Sequence, residues 1–320
     1  MAVSKRWLFP LLMVGSSVLS VATFPLKVLS QDATTPVIDG AQMNVWQGIV
    51  LGFVQGATEF LPISSTAHLK VVPVALGWGD PGVAFSAVIQ LGSIAAVIWY
   101  FWGDLTRVLT GAWIAIARKD YQNTDFRIAV GIAIGTLPIL FLGVLVKYGF
   151  KEFYDNSVRS LTVIAIVSII MAVLLGLAEI KGTRGRNFEK LRMTDGILMG
   201  CAQALALVPG ASRSGSTLTA GLFMGLERET AARFSFLLGI PAITLSGLVE
   251  LKGLLEVGAG SSGMPTLIAG VISSTIFSYL AIAWLVKFLK TRSTWIFVWY
   301  RLIFGIAILA GLSFGVLQNV

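Results

Sequence analysis

Charge is scarce in this chain. Of its 320 residues only 12% are Asp, Glu, Lys or Arg, and 56% are hydrophobic. A soluble domain carries about 25% charged residues, so a water-soluble globule is excluded. Cysteine is nearly absent: Cys201 stands alone, which rules out an intrachain disulfide and a cysteine-based metal site. Histidine is equally rare, with His68 the single example. The net charge of +8 suggests a nucleic-acid partner. Its placement argues against one, because the Lys and Arg residues sit in short loops between apolar spans.

What is present in quantity is long apolar sequence. Several runs reach about 18 residues or more, enough to cross a hydrocarbon core of roughly 30 Å. Lys5 and Arg6 precede an apolar run from Trp7 to about Leu26, so residues 1–31 read as a secretory signal or a signal anchor. Six segments then read as full spans, at roughly 83–102, 127–147, 160–180, 230–250, 265–290 and 295–317. The segments 45–61 and 194–208 differ, because each is followed by a Pro-containing polar loop and a short apolar piece, 66–77 or 216–226. Those pieces are only about 18 Å long as helices. Both regions are therefore expected to be re-entrant hairpins.

Charge placement agrees with this arrangement. With residues 31–44 outside, most Lys and Arg fall on four inner segments, 103–127, 181–193, 226–233 and 287–292. The outer loops carry only Lys147, Lys151, Arg159 and Lys252. The order of elements also repeats. Gly52-Phe53-Val54-Gln55 parallels Gly200-Cys201-Ala202-Gln203, and each precedes a broken, hydroxyl-rich loop. The expectation is an all-α integral membrane protein with one polytopic domain, 44–317. Six transmembrane helices and two re-entrant hairpins would form an inverted-topology repeat, about 44–180 and about 194–317. Such repeats place their sites at broken helices near the bilayer midplane.

Two polar islands carry chemistry. The first, Gln55 to His68, sets a carboxylate, hydroxyls and the only histidine in a hydrophobic hairpin. Ionisable groups at membrane depth are costly and mark functional sites by default. Gln55 and Glu59 are one helical turn apart, as are Ser65 and His68. The second spacing lets a serine nucleophile meet a base. The second island, Pro209 to Thr217, breaks one helix and opens another with Ser212, Arg213 and Ser214. Backbone N–H groups at a helix start beside an Arg form an anion site, and guanidinium pairs bidentately with phosphate oxygens. Ser212, Arg213, Ser214 and Thr217, together with Ser64 and Thr66, are the candidate phosphate ligands. Glu59 and Gln55 are the candidate metal ligands. Arg301, about six residues into the last span, is expected to snorkel to the inner interface. Glu179, at a span end, is expected to be solvated.

The stretch QGATEFLPISSTAHL with PGASRSG resembles the undecaprenyl-diphosphatase family, membrane phosphatases associated with bacitracin resistance. The likeness runs over residues 44–317. It implies hydrolysis of undecaprenyl diphosphate to the monophosphate carrier lipid for cell-wall (peptidoglycan) synthesis. It also implies a divalent cation such as Mg²⁺ or Ca²⁺ and pairing into dimers. The location implied is the bacterial plasma membrane, with the site expected to open to the outer face. The family's Glu/Gln-xxx-Glu motif falls on Gln55 and Glu59, its serine pair on Ser64 and Ser65, and its histidine on His68. Its Pro-Gly-x-Ser-Arg-Ser-Gly motif falls on Pro209 to Gly215, with Ser212, Arg213 and Thr217 as functional positions. Gln55 replaces a carboxylate common in the family, which leaves one carboxylate where a two-carboxylate metal site would need two. The expected roles are Ser65 as nucleophile, His68 as its base and Glu59 as cation holder. Since inverted repeats with broken helices also mark transporters, a polyprenyl-phosphate flippase is the alternative. A phosphatidic-acid-type phosphatase is set aside, because it needs a second histidine.

Overall fold

A computed structural model of the chain describes residues 43–79, 81–257 and 263–319. The signal-like segment 1–31 lies outside the described residues. The regular structure among the described residues is helical, apart from an isolated bridge between Arg186 and Leu226. Five described helices are long and apolar enough to cross a bilayer, or six if one bent pair counts as a single span.

Helix α1 (Val45–Glu59) opens with a capping box. The Asn44 side chain accepts from the Gln47 amide and the Gln47 side chain accepts from the Asn44 amide, both at 2.9 Å. Its 15 residues make about 22 Å, short of a full crossing. The chain breaks at Phe60–Ser64 and resumes as α2 (Ser65–Ala75). The second hairpin repeats this form. Helix α7 (Met193–Gln203) continues into a tight turn at Ala204–Leu207, then a break at Pro209, then α8 (Arg213–Phe223). Helices α2 and α8 have 11 residues each, about 16 Å. Helix α8 begins three residues earlier than the sequence suggested, so Arg213 is its first residue. Backbone hydrogen bonds run from the Arg186 amide to the Gly225 carbonyl (3.1 Å) and from the Glu227 amide to the Arg186 carbonyl (2.9 Å). These bonds join the segment before α7 to the chain just after α8.

The intervening helices are α3 (Gly82–Tyr100), α4 (Trp102–Arg118), α5 (Thr124–Gly149) and α6 (Leu161–Lys181), then α9 (Arg228–Val257), α10 (Met264–Thr291) and α11 (Trp295–Ser313). Helix α4 adds an element within 103–127, which the sequence reading gave only as an inner segment between two spans. Its charges, Asp104, Arg107 and Arg118, concealed an amphipathic pattern. Val108, Ala112 and Ala115 are buried, while Leu109, Trp113 and Ile116 are exposed. It leaves α3 at a 67° bend about Phe101, a shape suited to lying in a membrane interface.

Small residues let the hairpins sit close to the spans. On α1, Gly48 and Gly56 leave no room for a side chain: a Cβ would lie 2.6 Å from the Thr266 carbonyl and 2.6 Å from the Ser274 carbonyl. Gly52 meets the Gly270 carbonyl in the same way. On α7, Gly196 and Gly200 press on Gly131 and Gly135 of α5. Four-residue glycine spacing of this kind brings helix backbones together where no water drives burial. Glu179 is 4% exposed rather than solvated. It pairs with Arg228 and with Arg184 (3.0 Å) and accepts from the Thr294 hydroxyl at 2.8 Å. That knot ties the end of α6 to the starts of α9 and α11.

Candidate active site

The two breaks meet. Glu59 ends α1 and Ser65 begins α2, and the serine hydroxyl donates to Glu59 Oε2 at 2.6 Å. Gln55, one turn back, donates to the same oxygen at 3.1 Å and to Ser93 Oγ at 3.4 Å. Ser93 in turn contacts Ser274 (3.1 Å) and Ser278 (2.8 Å), so a buried hydroxyl chain steadies Gln55 from α3 and α10. From the other hairpin, Arg213 Nη2 donates to Glu59 Oε1 at 3.3 Å. Both oxygens of the one carboxylate are therefore engaged, one by the serine and one by the guanidinium.

The loops themselves are strained. Ser64 and Ser212, the residues just before α2 and α8, have φ of 73° and 69°. A left-handed backbone at a non-glycine costs of order 1–3 kcal/mol and clusters at functional sites. In both hairpins it turns the first residue of the return helix, Ser65 or Arg213, toward the same space. That space is a cavity of about 340 Å³, lined by Gln55, Glu59, Ser65, Ser212 and Arg213 and bordered by Thr66.

The remaining sequence candidates make their hydrogen bonds to other groups. Ser64 is buried and also borders the cavity; its carbonyl lies 2.7 Å from His68 Nδ1. His68 Nε2 lies 2.5 Å from the Tyr300 hydroxyl, and its ring stacks on Phe304 with centroids 4.4 Å apart. Both ring nitrogens are thus occupied, and the structure brings Glu59 rather than His68 to the Ser65 hydroxyl. Ser214 donates to the Leu61 carbonyl at 2.9 Å, joining the two loops. Thr217 is fully buried, donates to the Arg213 carbonyl at 2.8 Å and contacts Ser235 at 2.5 Å.

Sequence reasoning missed the residue that holds the loops in place. Arg301 was expected at the inner interface, yet it is 1% exposed. Its guanidinium donates to the carbonyls of Pro62 (3.0 Å), Gly210 (2.6 Å), Ala211 (3.2 Å) and Ser168 (3.3 Å). Broken helices leave carbonyls without partners, and one arginine satisfies both breaks at once. The usable signal was an ionisable residue well inside an apolar span. Arg301→Met is expected to destabilise the fold by about 3–5 kcal/mol, since several buried carbonyls lose their donors together. Thermal unfolding in detergent, read beside activity, checks this. An unchanged midpoint would show that the loops hold without it.

The family model described as "Bacitracin resistance protein BacA" matches residues 48–307, which include both polar islands. A protein from a Nostoc species named "Undecaprenyl-diphosphatase" is 63% identical over 319 residues, covering 100% of both chains. Proteins of the same name from Synechocystis and Gloeobacter violaceus are 63% and 56% identical. The alignments cover 89% and 87% of this chain and 88% and 96% of those relatives. With the match spanning most of the chain and both polar islands, this multi-pass membrane protein belongs to the bacitracin resistance protein BacA family.

Proposed function

We propose that the chain hydrolyses undecaprenyl diphosphate to the monophosphate carrier lipid and inorganic phosphate, in support of cell-wall lipid recycling. The observation that carries the reading is the convergence of Glu59, Ser65 and Arg213 from two separate helix breaks on one cavity. Ser65 Oγ attacks the terminal phosphorus and its proton passes to Glu59. The bond from that phosphorus to the bridging oxygen breaks, and the lipid monophosphate leaves. Water then releases phosphate from the serine. Arg213 and the α8 start at Ser212 neutralise charge on the transferring group. In place of the base role expected from spacing, His68 holds α2 through Ser64 and Tyr300.

A divalent cation, Mg²⁺ or Ca²⁺, is part of the proposal. Among the described residues no group of three His, Cys, Asp or Glu gathers, so these residues alone offer no full cage. The donors at the cavity are hard oxygens, which suits a cation that takes one or two carboxylates and completes its shell with phosphate oxygens and water. Glu59, with the Gln55 carbonyl, would hold it; when bound it offsets diphosphate charge. Phosphate release from polyprenyl diphosphate by purified protein in detergent tests the whole reading. Turnover that stops with a chelator supports it. No release in detergent, where there are no two compartments, would favour the flippase alternative.

The proposed setting is the bacterial plasma membrane, as a homodimer, with the cavity opening outward and both hairpins re-entrant in an inverted repeat. The hairpins correspond closely. Gln55 stands nine residues before Ser64 (64 − 55 = 9) and Gln203 nine before Ser212 (212 − 203 = 9). Each first helix packs by glycines on the second span of the other half, α1 on α10 and α7 on α5. In a Cys201→Ala background, Val45→Cys and Leu76→Cys should react with an impermeant thiol reagent from one side. Gly185→Cys and Glu227→Cys should react from the other. Opposite-sided labelling of Val45→Cys and Leu76→Cys would mean that the first hairpin crosses, overturning the repeat.

A further inference from the structure

Gln90, on α3, lines the same cavity as Glu59, Ser65 and Arg213, and the chemistry above does not use it. It is partly buried, and its carboxamide has no hydrogen-bond partner among the described residues. Gln90 stands three residues before Ser93, so the two share a face of α3. Ser93 accepts from Gln55, which also donates to Glu59. That face of α3 is therefore turned toward the carboxylate that holds the Ser65 hydroxyl.

The two halves of the chain show what Gln90 stands across from. Gly52 of α1 meets the Gly270 carbonyl, and Gly200 of α7 meets the Gly135 carbonyl. A Cβ on Gly270 would lie 2.8 Å from Ile89, and one on Gly135 would lie 3.1 Å from Leu238. Ile89 and Leu238 thus hold equivalent places, each four residues after a Phe-Ser pair, Phe85-Ser86 or Phe234-Ser235, counted from the Phe. The residues that follow them, Gln90 and Gly239, are equivalent too. Gly239 has no side chain, and the Arg213 guanidinium fills the space where its Cβ would be. In the first half the residue that opens the return helix is the short Ser65, and the long side chain comes from the facing helix as Gln90. Each half sends one long polar side chain into the gap between its return helix and the helix that follows, Arg213 in one and Gln90 in the other.

We propose that Gln90 is a substrate-binding residue whose carboxamide donates to an oxygen of the diphosphate. The inference rests on the diphosphatase reading above. A carboxamide offers two N–H donors and carries no charge. It can therefore bind an oxyanion without competing with Arg213 for the Glu59 carboxylate, which the guanidinium already holds. A hydrogen bond to an ionised oxygen is about twice as strong as one between neutral groups. A donor without a protein partner on the cavity wall thus gains most from an anionic substrate. The diphosphate presents oxygens on both phosphorus atoms, and the two products of the reaction separate them in the test.

The experiment measures kcat and KM for polyprenyl diphosphate in detergent, beside the thermal unfolding midpoint, in wild type, Gln90→Met and Gln90→Glu. Both variants keep the length of the side chain. Methionine removes the donors, and glutamate replaces them with a charge that repels the diphosphate. Gln90→Met should lower kcat/KM by about 10- to 100-fold. Gln90→Glu should lower it further, and both midpoints should stay near wild type. Product inhibition then locates the contact. In Gln90→Met, a raised inhibition constant for inorganic phosphate assigns Gln90 to the transferred phosphate. A raised constant for polyprenyl monophosphate assigns it to the phosphate that stays with the lipid. Turnover in Gln90→Glu equal to or better than that in Gln90→Met would overturn the assignment, because a carboxylate cannot donate to the diphosphate. A loss of activity matched by a fallen midpoint would make Gln90 a structural residue. If both variants match an active wild type, the Gln90 contact is wrong while the diphosphatase reading survives. If wild type releases no phosphate at all, the diphosphatase reading fails and the contact falls with it.

Discussion

Ser65→Ala should lower kcat by about 10³-fold or more while lipid binding stays measurable, because a removed nucleophile leaves only positioning and charge stabilisation. The companion variants separate the proton acceptor from its neighbours. Glu59 Oε2 is the atom that accepts from the Ser65 hydroxyl. Glu59→Gln therefore loses a general base, a change of about 10²- to 10⁴-fold, and weakens cation dependence with it. His68 is held by the Ser64 carbonyl, the Tyr300 hydroxyl and the Phe304 ring. His68→Gln should then cost about tenfold or less, through the setting of α2. Ser64 contributes its backbone carbonyl to that contact, so Ser64→Ala should be mild. Phosphate release under single-turnover conditions reads all four. Substantial turnover in Ser65→Ala would transfer the attack to water. A His68→Gln loss equal to that of Glu59→Gln would return the base role to histidine.

That contrast shows where sequence stops being sufficient. The pairing of Gln55 with Glu59 was legible because both lie in one helix, where residues four apart share a face; the structure joins them at 3.1 Å. Ser65 and His68 also share a helix, and their spacing permitted a contact. In the structure His68 Nε2 meets Tyr300, 232 positions away, a contact that no local spacing could reveal. The meeting of Glu59 with Arg213 was implied only by charge, since an unpaired arginine and an unpaired carboxylate at membrane depth each need a partner. Arg301 was misread because snorkelling is the ordinary fate of a basic residue near a span end. It stays inside because two broken helices present it with carbonyls. Helix α4 was missed for the opposite reason: its charges fit a loop as well as a helix, and only the burial of Val108, Ala112 and Ala115 separates the two.

Arg213→Lys should reduce kcat/KM by about 10²- to 10³-fold, the cost of losing one preorganised donor to a developing charge. The guanidinium is nearly enclosed, with 8% of its side chain exposed, and lies 5.7 Å from the centre of the Phe60 ring. Only Nη2 reaches Glu59, while Nε and Nη1 have no hydrogen-bond partner among the described residues. Buried donors left unmade cost about 1–3 kcal/mol each, and under the proposed reading they would be met by oxygens of the substrate. Two adjacent donors in a fixed plane match a phosphoryl edge, and an ammonium supplies a point charge without that plane. Lysine therefore keeps attraction for the lipid and loses orientation of the reacting group, so kcat should fall more than KM rises. Gly239→Ala makes the same point without touching the charge. A Cβ at Gly239 would overlap the Arg213 guanidinium, so the side chain must shift and activity should drop although the arginine remains. Near-normal kcat in Arg213→Lys would mean that charge alone serves the transition state and that the planar fork has no part in the chemistry.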